Sequence, residues 1–103
     1  MRSPHHPDAA EISLSQVLHA LSDPIRLRLV RCLSDAGVEQ QCGALYDSMS
    51  KSTLSHHFKV LREAGVIFSR PEGTRFMNSL RREDLDARFP GLLDSVLQAN
   101  EPL

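Results

Sequence analysis

A chain of 103 residues with two cysteines, no tryptophan and a net charge of −1 is sized for one domain with an aliphatic core. Two cysteines are too few for a disulfide framework, and no apolar run approaches the roughly 18–20 residues of a membrane span. No charged-then-apolar leader opens the chain, so a cytoplasmic protein without membrane attachment is expected.

Residues 1–10 hold Pro4, Pro7 and the pair His5-His6 without apolar periodicity. They are expected to form a disordered arm, with one folded domain over residues 11–100. Ile12, Leu14, Val17, Leu18 and Leu21 predict a short amphipathic helix. Ser22-Asp23-Pro24 breaks it, with Asp23 as an N-cap and Pro24 at the first position of the next helix. That second helix should run from Pro24 to about Ala36. Ile25, Leu27, Leu29, Val30 and Leu33 make it apolar around much of its girth, so it should be buried. Arg26, Arg28 and Arg31 are spaced through it. Cys32 is expected on its core side with Leu29 and Leu33. Gly37 ends it.

A brief third helix is expected from Gln41 to about Ser48. Cys42 lies near its start, where a thiolate could be stabilised. The fourth helix, Lys51 to Ala64, carries the most information. Ser50 can cap it, Gly65 can close it, and Leu54, Phe58 and Leu61 form one apolar stripe. His57 falls beside that stripe and is expected to be partly buried. The opposite face holds Ser52, Ser55, His56 and Lys59. Such short or cationic hydrogen-bonding side chains suit a groove edge and its phosphates. A short helix, a tight connection and a longer helix with a polar outer face make a helix-turn-helix.

After Gly65 the period changes to that of strands. Val66-Ile67-Phe68 and Phe76 to Leu80 flank Arg70-Pro71-Glu72-Gly73-Thr74-Arg75, which predicts a hairpin with a basic tip. A hairpin in this place is a wing, and Arg70 and Arg75 on it can reach phosphates or a minor groove. Glu83 to Asn100 reads as helix with a break at Pro90. Leu92, Leu93, Val96 and Leu97 form an apolar stripe there with no further helix to cover it. Leu14, Val17, Leu18, Leu92, Leu93, Val96 and Leu97 are therefore expected at a dimer seam. The fold class is mainly α with a small β-hairpin, a winged helix-turn-helix of five or six helices, dimeric through its first and last helices.

The net charge hides an asymmetry. From Ser50 to Arg82 the balance is +5, and from Glu83 onward it is −4. The basic half contains the helix and hairpin assigned to nucleic acid.

Three stretches together resemble the ArsR/SmtB family of bacterial winged-helix repressors. One runs from Ala20 to Leu29 around Ser22-Asp23-Pro24-Ile25-Arg26. Another is Ser52 to Gly65, and the third is Glu72-Gly73 followed by an aromatic strand. The resemblance covers residues 14–98. It implies a sequence-specific transcriptional regulator that binds an inverted repeat in double-stranded DNA as a homodimer. Carried over by position, Ser52, Thr53, Ser55, His56, Lys59 and Arg62 would face DNA, with Arg70 and Arg75 on the wing.

The metal sites usual in the family are not recognisable. A CxC pair on the third helix is missing, and no histidine follows His57. Asp84, Asp86 and Asp94 remain near the C-terminal end, but carboxylates alone do not select a soft metal. His5, His6 and His19 stay as candidate ligands, and imidazoles suit nickel or zinc. No metal or other cofactor is assigned. The alternatives kept are a nickel- or zinc-responsive sensor, a thiol sensor through Cys42, and a protein-interaction winged helix without DNA binding. A separate sensory protein is a further candidate partner. Adjacent Ser55, His56 and His57 do not make a catalytic set, because neighbours on a helix point about 100° apart and no third group orients them. An enzyme is not expected.

Overall fold

The computed structural model describes residues 4–36, 40–41 and 49–99. Helix α1 (Leu14–Leu21) starts at Ser13, whose hydroxyl accepts from the Gln16 N–H at 3.3 Å. Helix α2 (Pro24–Ala36) starts at Asp23, whose carboxylate accepts from the N–H groups of Ile25 and Arg26 at 2.9 and 3.1 Å. These donors have no partner within the helix, so the acidic cap satisfies them and favours the positive helix end.

Strand β1 (Gln40–Gln41) follows, then helix α3 (Lys51–Glu63). Ser50 caps α3 by accepting from the Thr53 N–H at 3.3 Å. Its far end closes on Gly65, which has φ +83°. The Gly65 N–H donates to the Arg62 carbonyl, and the Val66 N–H to the Leu61 carbonyl. This pair of bonds needs a left-handed residue between them, and only glycine adopts it without strain.

Strands β2 (Ile67–Glu72) and β3 (Arg75–Leu80) form the hairpin. Helices α4 (Arg82–Arg88) and α5 (Leu92–Gln98) complete the chain on either side of Pro90, as the sequence predicts. No described helix is long and apolar enough to cross a membrane.

The hairpin departs from expectation at its tip. Arg70 and Pro71 are paired strand residues, and the turn is only Gly73-Thr74 between the pair Glu72 and Arg75. Gly73 has φ +64° and Thr74 does not share a positive φ, the pattern of a turn that matches the twist of a hairpin. Pro71 is tolerated because β2 is an edge strand in the order β1-β3-β2.

That order also shows a third strand where a two-stranded hairpin was expected. Gln40 pairs with Asn78, and Gln41 with Met77. Gln41 therefore lies in a strand and does not open the third helix. A two-residue strand has no alternation to read, and its existence depends on a partner remote in sequence. The remainder of that helix, with Cys42, lies outside the described residues.

The core gathers Val17, Ala20 and Leu21 of α1, Leu29, Val30 and Leu33 of α2, and Leu54, Phe58 and Leu61 of α3. Val66 and Ile67, Leu85 of α4 and Leu93 of α5 close it from the other side. Cys32 is exposed and not in this core. The buried stripe of α2 is Arg26, Leu29, Val30 and Leu33, and Cys32 lies past its Leu29 edge. The stripe is narrower than composition suggested, and an arginine belongs to it.

The N-terminal segment, expected to be a disordered arm, is laid along the fold from Pro4 onward. A single turn of 3-10 helix (Ala9–Glu11) leads to Ile12, which is 1% exposed and packs over Gly65. The Arg81 guanidinium donates to the Pro7 carbonyl at 2.8 Å, and Arg88 donates to the Ile12 carbonyl at 2.7 Å. Held by its backbone and by single side chains, such a segment leaves no apolar period in the sequence.

Candidate nucleic-acid interface

Helix α3 is two-faced. Leu54, His57, Phe58 and Leu61 are buried, while Ser52, Thr53, Ser55, His56 and Lys59 are exposed on the other side. The two adjacent histidines are split between these faces. Arg62 lies at the margin, with its guanidinium 5.8 Å from the centre of the Phe76 ring. This cation–π contact ties α3 to β3 across a groove lined by Ser55, Phe58, Arg62, Phe76 and Asn78. Behind it the Ser69 hydroxyl donates to the Asn78 side-chain carbonyl at 2.6 Å, and both residues are 1% exposed. This bond pins β2 to β3 at the base of the wing.

Hydroxyls at the start of α3 serve the cap as well as the surface. The Ser50 hydroxyl donates to the Thr53 hydroxyl at 2.8 Å. Arg70 and Arg75 are exposed on the wing, and Arg70 forms an ion pair with Glu72 at 2.8 Å. Two other cations of the basic stretch are held by acids of the C-terminal helices. Arg81 pairs with Asp84 at 2.9 Å, and Arg82 pairs with Asp94 at 2.8 Å and Asp86 at 3.8 Å. The acids of α4 and α5 thus hold Arg81 and Arg82, while Lys59, Arg62, Arg70 and Arg75 stay with α3 and the wing.

A polar junction behind α3 was not foreseen. Arg26 is 8% exposed, and its Nε donates to the Ala20 carbonyl at 2.7 Å. Its Nη1 lies 3.3 Å from Nδ1 of His57, and its Nη2 donates to the His19 carbonyl at 3.3 Å. Asp23 approaches the same His57 nitrogen at 4.0 Å. One signal for this junction was present in the sequence: Arg26 sits at helical spacing with Leu29, Val30 and Leu33, in line with the core.

The expected dimer residues divide into three groups. Val17 is 1% exposed and Leu93 is 2% exposed, so both belong to the core of their own chain. Each faces inward on its helix because the partner helices within the chain cover it. Leu14 and Leu18 are each 46% exposed. Leu18 borders a mostly apolar groove formed with Leu21, Leu27, Arg31, Val96, Leu97 and Ala99. Leu92, Val96 and Leu97 are half-buried at the margin of the core.

Among the described residues, no three His, Cys, Asp or Glu side chains cluster to hold a metal ion. His5 and His19 are exposed. His6 is occupied: its Nε2 accepts from the Ser69 N–H at 2.9 Å, and its ring stacks on Phe68 at 4.4 Å between centroids. Burial, then the charges of Arg62 and Arg81, hold its imidazole below the ordinary value of 6.5, while a bond to the Pro4 backbone acts the other way.

Only the neutral ring can accept the Ser69 N–H. A lowered value in the docked state means that docking is fully stabilised above about pH 6.5 and weakens as pH falls through the docked value. The amide signal of Ser69 should therefore shift as the pH is lowered from about 7.5 to about 5, in step with His6 titration. His6→Ala should abolish that shift. A Ser69 signal indifferent to pH in the unsubstituted chain would rule out the docked imidazole.

Comparison with known proteins is consistent with this geometry. Residues 21–69 match a helix-turn-helix domain family. The chain is 37% identical over 84 residues to an uncharacterised HTH-type transcriptional regulator, YceK, of Bacillus subtilis (strain 168), covering 80% of this chain and 84% of that one. It is 39% identical over 74 residues to the arsenical resistance operon repressor of Staphylococcus xylosus, covering 71% and 70% of the two chains. Its fold is similar to the crystal structure of the transcriptional repressor BigR from Xylella fastidiosa. The TM-score is 0.65 at 26% identity, over 87% of this chain and 88% of that one.

Proposed function

Because the chain belongs to the ArsR-type helix-turn-helix transcriptional regulators, we propose that it acts as a homodimer on an inverted repeat in double-stranded DNA. One observation carries this reading: α3 buries Leu54, His57, Phe58 and Leu61 and presents Ser52, Ser55, His56 and Lys59. In the complex α3 enters the major groove. Ser55 and His56 read base edges, while Ser52, Thr53, Lys59 and Arg62 meet the groove wall. Arg70 and Arg75 bring the wing to the flanking backbone. Leu14, Leu18 and the groove beside Val96 and Leu97 meet their counterparts in the second chain, which supports a seam through α1 and α5.

Bound across a promoter, such a dimer represses by occlusion; the Staphylococcus relative is named as a repressor of the arsenical resistance operon. The protein works in the cytoplasm, by binding and without catalysis. The sequence lacks the cysteine pair and the late histidines that its family uses for metals. We read its occupancy of DNA as following its cellular level or a separate sensory protein.

Selection from a random duplex library tests the reading. An inverted repeat should emerge with half-sites about 10–10.5 base pairs apart, or a multiple of that spacing. The complex should contain two chains per duplex, and backbone amide shifts should concentrate in α3 and the wing. Shifts concentrated elsewhere, or no enriched motif, would favour a winged helix that binds protein.

A further inference from the structure

We propose that Arg26 and His57 are positioning residues that set how far apart, and at what angle, the dimer presents its two α3 helices. This rests on the homodimeric reading above. The guanidinium of Arg26 joins three elements at this junction. It grips the C-terminal carbonyls of α1 through His19 and Ala20, it belongs to α2, and it reaches His57 of α3. Helix α1 carries the exposed Leu14 and Leu18, which the homodimeric reading places at the seam. Any rotation of α3 relative to the seam must stretch the contact between Arg26 and His57.

The chemistry fixes the direction of this contact. Arginine only donates, so Nδ1 of His57 accepts and the ring proton sits on Nε2. The fork of a guanidinium spans carbonyls and imidazole at once, which a lysine ammonium on a flexible stem cannot do. Asp23 caps α2 and stands 4.0 Å from the same imidazole, so the junction is also anchored at the start of α2. Neither Arg26 nor His57 needs to touch DNA. They act through the pitch of α3, and the quantity they govern is discrimination between half-site spacings.

The test compares affinity for the selected inverted repeat with affinity for repeats lengthened or shortened by one base pair. The unsubstituted protein should prefer its own spacing by about tenfold. Arg26→Lys and His57→Leu should reduce that preference to less than about threefold, with an unchanged salt dependence, because no phosphate contact is lost. His57→Asn should restore it, because the carboxamide oxygen stands where Nδ1 was and accepts from Arg26. Thermal melts identify any variant that fails to fold, and the Asn variant keeps the comparison decisive in that event. If the folded variants discriminate as well as the unsubstituted protein, the inference is overturned while the dimeric reading stands. If the unsubstituted protein shows no spacing preference, both fall.

Discussion

Gly65→Ala should destabilise the folded chain by about 2–5 kcal/mol, a fall in Tm of more than about 10 °C for a domain of this size. Two costs add at this residue. The backbone at Gly65 has φ +83°, where an L side chain is strained. A Cβ there would also lie 2.6 Å from Cγ1 and 2.8 Å from Cδ1 of Ile12. Ile12 is itself 1% exposed and has little room to retreat. The residue that ends α3 is thus also the floor on which the N-terminal segment rests. Thermal and urea melts of Gly65→Ala, Ile12→Ala and the double variant separate the two costs. The double variant should lose less than the sum of the singles, because removing the Ile12 side chain relieves the clash but not the backbone strain. A fall of under about 2 °C for Gly65→Ala would contradict both the left-handed backbone at Gly65 and the packing of Ile12 against it.

Raising salt from about 50 to about 200 mM should weaken binding to the selected duplex by about a thousandfold or more. Of the five cations per chain on α3 and the wing, the four placed against DNA are Lys59, Arg62, Arg70 and Arg75, eight in the proposed dimer. Each cation that meets a phosphate releases condensed counterions. Lys59→Ala removes two such contacts per dimer and should make the slope of log affinity against log salt shallower by about 1.8. Arg75→Ala should do the same. Arg70→Ala should change the slope less than Lys59→Ala, because Glu72 already holds that guanidinium at 2.8 Å. Fluorescence anisotropy of a labelled duplex over a salt series reads all three. A slope untouched by both Lys59→Ala and Arg75→Ala would remove α3 and the wing from the phosphate contacts.

What could be read in advance follows from how far apart the interacting residues stand in the chain. The cap at Asp23, the cap at Ser50 and the closure at Gly65 each involve residues within a few positions, and the sequence shows all of them. The split between the faces of α3 is likewise local, because a helical wheel needs only spacing. The pairing of Gln41 with Met77 is not local, and no pattern in two residues announces it. The same holds for the N-terminal segment, whose contacts with Ser69, Arg81 and Arg88 span much of the chain. Val17 and Leu93 show a further limit. Periodicity identifies an apolar face but not which apolar face covers it, and these two are covered by their own chain. Ser52, Thr53, Ser55, His56 and Lys59 are exposed on α3, as spacing alone indicates, whereas Arg26 is hard to read because an arginine in an apolar stripe looks like an interruption of the core.

The docking of His6 on β2 has a consequence for the solution behaviour of the protein. β2 is an outermost strand, and its outward N–H and carbonyl groups are a template on which another extended chain can add. His6 occupies the Ser69 donor and lays its ring on one face of Phe68, so the same side chain takes up an edge donor and part of an apolar surface that is still 42% exposed. The N-terminal segment thereby acts as a guard against edge-to-edge aggregation. Trimming it as a dispensable tail would remove that guard and expose an aromatic-bearing strand edge to every other copy in solution.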